Sequence, residues 1–462
     1  MSLLAERQAP PDRLAASWFG WPALARVPRP LLTATFAASA VFAIVMALVT
    51  TYHAHRLWGV FAGCSYLLAA MAVLLWRSRG LDLALGISVV GALVAPMWLM
   101  ATERLQQPEV QVINRSAALL IHRGTPYPGP AVTAVAHSPN VFDPYLPALT
   151  AFGIPRVVLG ISPVTDPRIW FGAAFVAAFG VALAIAGASD VVRWTALVTA
   201  SPVIALSLTV GGTDLPVLAC LCLGFALLWR RPRPVAAGLV LGAAAAMKAT
   251  AWPALLVAVV LLAARDGRRA AVTLTATALA VVAAVVGPVA ALGPRSLVQN
   301  TIAFPLGLAS IKSEAVSPLP GRLLAETGPA GHLAAVALLA LAGLAVLASL
   351  VFRPPRTVPA AIWRLIIGLT AMFVLAPATR FGYFVYPVGL LVWLEVSRMG
   401  LAAGRPRAGP AGDAAAPGGA AGAGADADGA DGAGPPLAGV GADGAAASAA
   451  RSANAARQDA YQ

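Results

Sequence analysis

The chain has 462 residues, of which 59% are hydrophobic and only 11% are charged. A soluble protein of this length needs about 25% charged residues to cover its surface, so the composition excludes a soluble globular protein. The net charge of +13 does not indicate nucleic acid binding, because the arginines are dispersed at the ends of apolar segments. These segments of about 20 residues match the thickness of a bilayer, so we expect an all-α, polytopic integral membrane protein.

Twelve apolar segments are long enough, or nearly long enough, to cross a membrane. The predicted spans are 31–52, 57–76, 81–101, 169–187, 193–210, 215–229, 234–247, 251–264, 270–292, 332–352, 359–377 and 382–397. The transmembrane domain therefore covers 31–398 and follows a cytoplasmic N-terminal segment, 1–30. Residues 399–462 consist largely of Ala, Gly, Pro and Asp, so we predict a disordered cytoplasmic tail that cannot bury enough apolar surface to fold.

Arginines in the short loops determine the predicted orientation. Basic residues accumulate in cytoplasmic loops, and arginine groups follow the second, sixth, eighth and tenth spans. With the basic N-terminus inside, two long loops, 102–168 and 293–331, lie outside. This scheme requires residues 234–264 to form two short helices that meet near Lys248 and Pro253. Such a hairpin is partly re-entrant, which is tolerable only where protein surrounds its turn.

The first outer loop carries a concentration of polar residues within Glu109–Pro147. Segment 109–123 is amphipathic and is predicted to lie at the membrane interface, with an apolar face opposite Arg115 and Arg123. Segment 144–155 is too short and too rich in proline to span, so we expect it to lie on or dip into the outer leaflet. The apolar face of the first segment consists of Val112, Ile113, Leu119 and Leu120.

Three segments occur in the same order in a known family. The first, EVQVINRSAALLIHRGTPYP, begins at Glu109 and includes Pro126–Tyr127, with FDPYLP beyond it. The second is GGTDLPVLACLCLGFALL around Asp214, and the third is AGLVLGAAAAMKATAWPALLV around Lys248. Together they resemble the GT-C glycosyltransferases of the actinobacterial, polyprenyl-phosphate-mannose-dependent kind, of the family 87 type. The family has Asp where this chain has Glu109, and Gln and Asn where it has Gly212 and Asp214.

The resemblance implies a membrane glycosyltransferase with a GT-C-like fold in the plasma membrane. It implies transfer of a sugar, mannose, from a polyprenyl-phosphate donor to a lipid-linked or cell-envelope acceptor on the outer face. The implied reaction is inverting, with Glu109 as the base that takes the proton of the acceptor hydroxyl and Lys248 as a contact to the donor phosphate. The implied partners are membrane lipids, the lipid-linked donor and a lipid or glycan acceptor, without nucleic acid.

Each of these residues also has a structural interpretation. Glu109 lies in the first turn of a predicted helix, where acids are favoured by the helix dipole. A lysine at the centre of a membrane helix costs about 2.5–3.5 kcal/mol on insertion scales, but Lys248 could instead reach the outer surface. Asp214 opens the sixth span after two glycines and is predicted to contact substrate, although a helix N-cap explains it equally well.

The remaining candidates lie in the outer loops and after the eleventh span. Asp143 and Tyr145 are predicted to position a sugar, but Asp before Pro is also a common turn initiator. Tyr127 is included among the substrate-binding residues through the resemblance. Tyr383 and Tyr386 are typical of an aromatic belt at the membrane interface. The outward cations, which could bind phosphate or lipid headgroups, are Lys312, Arg322 and Arg380.

No cluster with metal-ligand spacing occurs in the outer loops, and the chain has no phosphate-binding glycine loop of the nucleotide type. We therefore expect neither a metal nor a cofactor apart from the lipid-linked donor substrate. A transporter or lipid flippase remains an alternative, which predicts ionisable residues within several helices and repeated halves. A non-catalytic relative is a third possibility, because Glu109 replaces the aspartate of the family.

Overall fold

The apolar segments form helices. The computed structural model describes residues 27–309, 311 and 315–403, so most of the predicted N-terminal segment and the predicted tail from residue 404 lie outside the described residues. Helices of seven or more residues are numbered in chain order. They are α1 (Arg29–Val49), α2 (His53–Leu75), α3 (Gly80–Thr102), α4 (Pro108–Arg123), α5 (Pro167–Ala186), α6 (Val191–Thr199), α7 (Pro202–Val210), α8 (Leu215–Leu227), α9 (Pro234–Met247), α10 (Trp252–Arg265), α11 (Arg268–Leu292), α12 (Pro320–Glu326), α13 (Pro329–Phe352), α14 (Val358–Leu375) and α15 (Val385–Ala403).

Seven helices in the described part of the chain are long and apolar enough to cross a membrane. A bent pair, α6 and α7, meets at 63° and would make an eighth span. Much of the apolar surface is not covered by protein. In the most apolar 18-residue stretch of each helix, only 11% is buried in α13 and 17% in α11. Extended apolar surface of this kind is typical of contact with lipid. These features confirm an all-α, polytopic membrane protein. The seven helices are α1, α2, α3, α5, α11, α13 and α14.

The predicted count of twelve spans is not confirmed. Three of the predicted spans correspond to α8, α9 and α10, which have only 13 or 14 residues, fewer than the roughly 20 that a bilayer requires. Almost every residue of α8 is buried inside the protein, so its apolar sequence reflects protein packing. The predicted span 193–210 is the bent pair, and 382–397 lies in α15, which is not among the seven candidates.

The protein core is centred on α8, which packs against α5, α9 and α15. Phe171, Phe175 and Phe179 are four residues apart on α5, so they share one helix face, and all three are fully buried. Another close contact joins α9 to α11, where a Cβ added to Gly242 would lie 2.7 Å from the carbonyl oxygen of Ala278. Glycine therefore lets the two helix backbones approach each other.

The chain folds back between α9 and α10, as the sequence predicted. The α9 helix ends at Met247, Lys248 has an extended backbone, and α10 begins at Trp252. The far end of α10 returns to the end of α8, because Arg265 Nη2 donates a hydrogen bond to the carbonyl oxygen of Leu228 at 2.8 Å. The arginine groups that follow α8 and α10 therefore lie at the same end of the helices.

The amphipathic helix predicted in the first outer loop is present as α4. Val112 and Ile113 are buried as expected. Arg115, predicted opposite the apolar face, is half-buried, and its Nη1 donates to the carbonyl oxygen of Asn140 at 2.6 Å. The physical reason is that the following loop covers α4, and the backbone of that loop needs a hydrogen-bond donor.

Gly242→Ala is expected to lower the thermal stability of the detergent-solubilised protein. The new Cβ would lie 2.7 and 2.8 Å from two backbone atoms of Ala278, which cannot yield as a flexible side chain would. Overpacking of this kind costs about 1–3 kcal/mol. Gly86→Ala in α3 is the matched control, because nothing lies within 4 Å of its Cβ position. Equal melting temperatures for the two variants would contradict the close contact between α9 and α11.

Candidate functional site

Two ion pairs and three tyrosines meet at one end of the helices. One pair joins Glu109 to Arg380, and the other joins Lys248 to Asp214. These residues come from the start of α4, the segment between α14 and α15, the break between α9 and α10, and the residue before α8. The arginine groups lie at the opposite ends of α8, α9 and α10. We call this site the ion-pair cluster; it consists of Glu109, Arg380, Lys248, Asp214, Tyr145, Tyr383 and Tyr386.

Asp214 has two hydrogen-bond partners from distant parts of the chain. Its Oδ1 accepts from the Lys248 ammonium and, at 2.7 Å, from the Tyr386 hydroxyl. That hydroxyl accepts in turn from Thr250 Oγ1 at 3.0 Å. The N-cap interpretation of Asp214 is not supported, since its side chain makes no capping hydrogen bond to α8. The carboxylate is used for the tertiary ion pair, which offsets the removal of both charges from water.

A glycine turn brings the start of α4 next to the start of α8. Gly212 has a φ of +77°, a conformation that glycine adopts without strain. A Cβ on Gly211 would lie 2.7 Å from Gln107 Oε1. The Gln107 N–H also donates to the carbonyl oxygen of Val210 at 2.9 Å. The two glycines thus permit the approach that brings Glu109 into the cluster.

Tyr145 and Tyr383 connect the two ion pairs. Lys248 Nζ is 5.2 Å from the centroid of the Tyr145 ring and 5.6 Å from that of Tyr383, within the range of cation–π attraction. The charges of Glu109 and Arg380 act on the same two tyrosines. Burial raises the pKa of both tyrosines, so both hydroxyls remain protonated at neutral pH. Glu109 and Lys248, which lie 139 positions apart in the sequence, therefore belong to one site.

Ala315 and Ser317, in the segment before α12, hold the backbone on both sides of Arg380. The Thr379 N–H donates to the carbonyl oxygen of Ala315 at 2.9 Å, and the Ser317 N–H donates to that of Thr379 at 3.0 Å. The Phe381 N–H donates to Ser317 Oγ at 3.0 Å. Burial by itself would lower the pKa of Arg380, but Glu109 and the two tyrosines outweigh it and raise the pKa. The guanidinium therefore stays charged.

One carboxylate oxygen of Glu109 has no partner among the described residues. Oε1 accepts from Arg380, whereas Oε2 is buried and accepts no hydrogen bond. A buried polar atom in this state costs about 1–3 kcal/mol, which a hydroxyl donor at that position would recover. His55 is close by: its Nε2 lies 3.2 Å from Gln107 Nε2, and its Nδ1 also lacks a partner. No motif surrounds His55, so the sequence alone does not indicate it as a site residue.

Asp143 and Tyr127 support Tyr145 from within the protein. Asp143 is fully buried, and its two oxygens accept from Ser116 Oγ at 2.5 Å and from the Tyr145 N–H at 2.9 Å. Its own N–H donates to Asn300 Oδ1 at 2.9 Å. The Tyr127 hydroxyl donates to the carbonyl oxygen of Tyr145 at 2.8 Å. The hydrogen bond from the Tyr145 N–H agrees with the turn interpretation of Asp143, and Asp143 and Tyr127 both lie behind Tyr145. Their predicted contact with substrate stays a prediction.

The outer-loop cations have different positions. Arg322 forms an ion pair with Glu326, one turn later in α12, at 2.8 Å, and such exposed pairs contribute little to stability. Lys312 lies outside the described residues. Arg380 alone of these three is placed in the cluster. In the ranges 27–309 and 315–403, no group of three His, Cys, Asp or Glu side chains could hold a metal ion; the expectation of a reaction without metal stays a prediction.

A cavity of about 150 Å³ lies at the other, arginine-rich end of the helices. Arg29, Arg77 and Arg193 line it. Arg29 donates to the carbonyl oxygen of Val73, and Arg193 pairs with Asp82 at 2.7 Å. At this cavity Asp82, Arg193 and Arg29 are therefore already ion-paired or hydrogen-bonded. Glu109 Oε2, in the ion-pair cluster, has no partner among the described residues.

These features define a polytopic helical membrane protein in which two ion pairs and three tyrosines form a cluster at one end of the helices. The model of glycosyltransferase family 87 matches residues 145–377, just over half of the chain. The chain belongs to glycosyltransferase family 87, which confirms the predicted family and the predicted transferase activity. Tyr145, Asp214 and Lys248 lie within the matched range, while Glu109 and Arg380 lie on either side of it. Comparison with curated proteins and with solved structures gave no match.

Asp143 makes the stability of the protein depend on pH in a direction that can be measured. Burial raises the pKa of its carboxyl group from 3.8 to about 6, against the opposing hydrogen bonds from Ser116 and Tyr145 and the charge of Arg115. The folded state therefore binds this proton more tightly than the unfolded chain does. Stability from this group is fully present below the unfolded pKa and is lost as pH rises through the folded pKa.

Asp143→Asn is expected to abolish the loss of stability with rising pH, since the amide has the same shape as the carboxyl group and does not titrate. Between about pH 4 and pH 6.5 the wild-type protein should lose roughly 1–3 kcal/mol relative to the variant, measured by unfolding in detergent. Asp143→Ala is the control and should be less stable than Asp143→Asn at every pH, because it leaves Ser116 and the Tyr145 N–H without an acceptor. A difference between wild type and Asp143→Asn that does not change with pH would contradict this prediction.

Proposed function

We propose that the protein transfers a sugar, mannose, from a polyprenyl-phosphate donor to a lipid-linked or cell-envelope acceptor at the outer face of the plasma membrane. The main support is that Glu109 lies in one cluster with two cations, Arg380 and Lys248. Glu109 also has a carboxylate oxygen without a partner among the described residues. Sugar transfer from a lipid phosphate requires a proton acceptor and groups that bind an anion. Mannose and the acceptor class follow from the resemblance of the three sequence segments.

The proposed reaction is a single displacement. The acceptor hydroxyl oxygen forms a bond to the anomeric carbon, and the bond from that carbon to the phosphate oxygen breaks. The electron pair of the broken bond leaves with the polyprenyl phosphate. The hydroxyl proton goes to Glu109, which ends the step as a carboxylic acid. Attack from the side opposite the phosphate inverts the anomeric configuration.

Lys248 is assigned to the leaving phosphate. A fixed cation near the group where negative charge develops stabilises the transition state. Lys248 lies beside the rings of Tyr145 and Tyr383, so a sugar attached to a phosphate at Lys248 would lie close to these tyrosines. Tyr145 is held in place from behind by Asp143 and Tyr127. The rigid loop thereby supplies a fixed surface for positioning the sugar.

The proposed outward orientation rests on the arginine distribution. Arginine-rich short loops remain on the cytoplasmic side, and these loops lie at the ends of α8, α9 and α10 opposite the ion-pair cluster. The cluster then faces the outside, where cell-envelope acceptors occur. Its position at the helix ends also suits a donor that is itself embedded in the bilayer.

Transfer of radiolabelled mannose from polyprenyl-phosphate mannose to a cell-envelope lipid extract, by the purified protein in nanodiscs, tests this proposal. Glu109→Gln is expected to lower the turnover rate by about 10²- to 10⁴-fold, because the amide cannot accept the proton. Glu103→Gln is the matched control: Glu103 is an exposed acid at the end of α3, and its variant should keep the wild-type rate.

Full activity of Glu109→Gln would show that another group is the base. Absence of transfer by the wild-type protein with mannose, glucose, galactose and arabinose donors, all linked to polyprenyl phosphate, would contradict the donor class and favour a non-catalytic relative.

A further inference from the structure

We propose that Arg380 is a latch on the base: it pairs with Glu109 before the donor binds and leaves Glu109 when it binds the donor phosphate. This inference rests on the proposed function and adds an order of events to it. The donor binds first, because its phosphate draws Arg380 away from Glu109. While the guanidinium is paired with Oε1, its charge makes the whole carboxylate a weaker proton acceptor, including the unpartnered Oε2. Arg380 is then a positioning residue for Glu109 and a binding residue for the donor.

The two ion pairs of the cluster differ in how firmly they are held. In the Lys248–Asp214 pair the side chains are only 11% and 14% exposed, and Asp214 has a second donor in Tyr386. In the Glu109–Arg380 pair Glu109 is 16% exposed, similar to Asp214, but the Arg380 side chain is 36% exposed and Glu109 has no second donor among the described residues. Water weakens exposed ion pairs. An arriving anion therefore opens the Glu109–Arg380 pair more easily.

Arg380 and Lys248 both lie next to Tyr383, so a phosphate at Lys248 would lie near both cations. The Tyr383 N–H donates to the carbonyl oxygen of Arg380 at 3.1 Å, and the Tyr383 ring centroid lies 5.6 Å from Lys248 Nζ. The Arg380 backbone is fixed on both sides by hydrogen bonds to Ser317 and Ala315. The movement of Arg380 from Glu109 to the phosphate therefore involves only its flexible side chain. A guanidinium is also well shaped to bind two phosphate oxygens at once.

The exchange follows from the charges of the cluster. Two cations and two carboxylates balance each other in the structure, so a phosphodiester brings one negative charge more than the cluster can neutralise. The phosphate and Glu109 compete for the positive charge of one guanidinium, so binding of the phosphate weakens the pairing of Arg380 with Glu109 Oε1. While Arg380 occupies Oε1, this oxygen cannot accept a proton. After the exchange both oxygens of Glu109 are available to the acceptor hydroxyl.

The test measures binding of undecaprenyl phosphate, without a sugar, to the full-length protein in zwitterionic nanodiscs. Glu109→Gln should bind it about three- to tenfold more tightly than the wild type, because Arg380 is already free. Arg380→Gln should bind it about 10- to 100-fold more weakly. In the double variant Glu109→Gln should no longer increase the affinity for undecaprenyl phosphate, since that increase depends on Arg380. Glu103→Gln is the control and should bind as the wild type does.

Kinetics separate the latch from a purely structural role. Arg380→Gln should raise the KM for the donor while kcat at saturating donor falls less than about threefold, because Glu109 stays in place. Arg380→Lys retains the positive charge and should recover most of the binding, which guards against a variant that fails to fold. A fall in kcat with unchanged donor KM would overturn the latch.

The outcomes distinguish this inference from the proposed function. Equal affinities of the wild type and Glu109→Gln for undecaprenyl phosphate would overturn the latch and leave the proposed donor class intact. Absence of binding by the wild type, Glu109→Gln and Arg380→Lys alike would contradict the donor class itself.

Discussion

The ion pair between Lys248 and Asp214 is the contact on which the arrangement of the site depends. A lone lysine within apolar helices would be costly, and pairing with a carboxylate offsets much of that cost. The same carboxylate binds the hydroxyl of Tyr386, 172 positions further along the chain. Next to Lys248, the carbonyl oxygen of Met247 accepts from the Leu146 N–H at 2.9 Å. The ion pair and the Tyr386 hydroxyl therefore join α8, the α9–α10 hairpin and α15, and the backbone hydrogen bond beside Lys248 adds the segment around Leu146.

The sequence predicted the parts of this arrangement that follow from local chemistry. The break at Lys248 follows from a charged residue between two short apolar runs, together with arginine groups that require both runs to end on the same side. Helix α4 follows from its amphipathic pattern, and Glu109 stands out as an acid in its first turn. Each of these features involves neighbouring residues, so it can be seen without knowing the fold.

What the sequence did not predict depends on contacts between distant residues. Glu109 and Arg380 are 271 positions apart, and nothing around Arg380 distinguishes it from the other outward cations. Asp143 precedes a proline and looks like a surface turn, yet α4 and Asn300 cover it completely. The predicted count of twelve spans is not confirmed for a related reason. An apolar run shows that a helix avoids water, but not whether lipid or protein surrounds it.

The position of the family match divides the site into two parts. Lys248 and Asp214 both lie within residues 145–377, whereas Glu109 precedes this range and Arg380 follows it. The second ion pair thus joins the two flanks, and α4 and the backbone around Thr379 must both pack correctly for it to form. Glu109 lies in the first turn of α4, and its side chain extends from there to Arg380. The fold therefore supplies this acid with a partner from the other flank of the matched range.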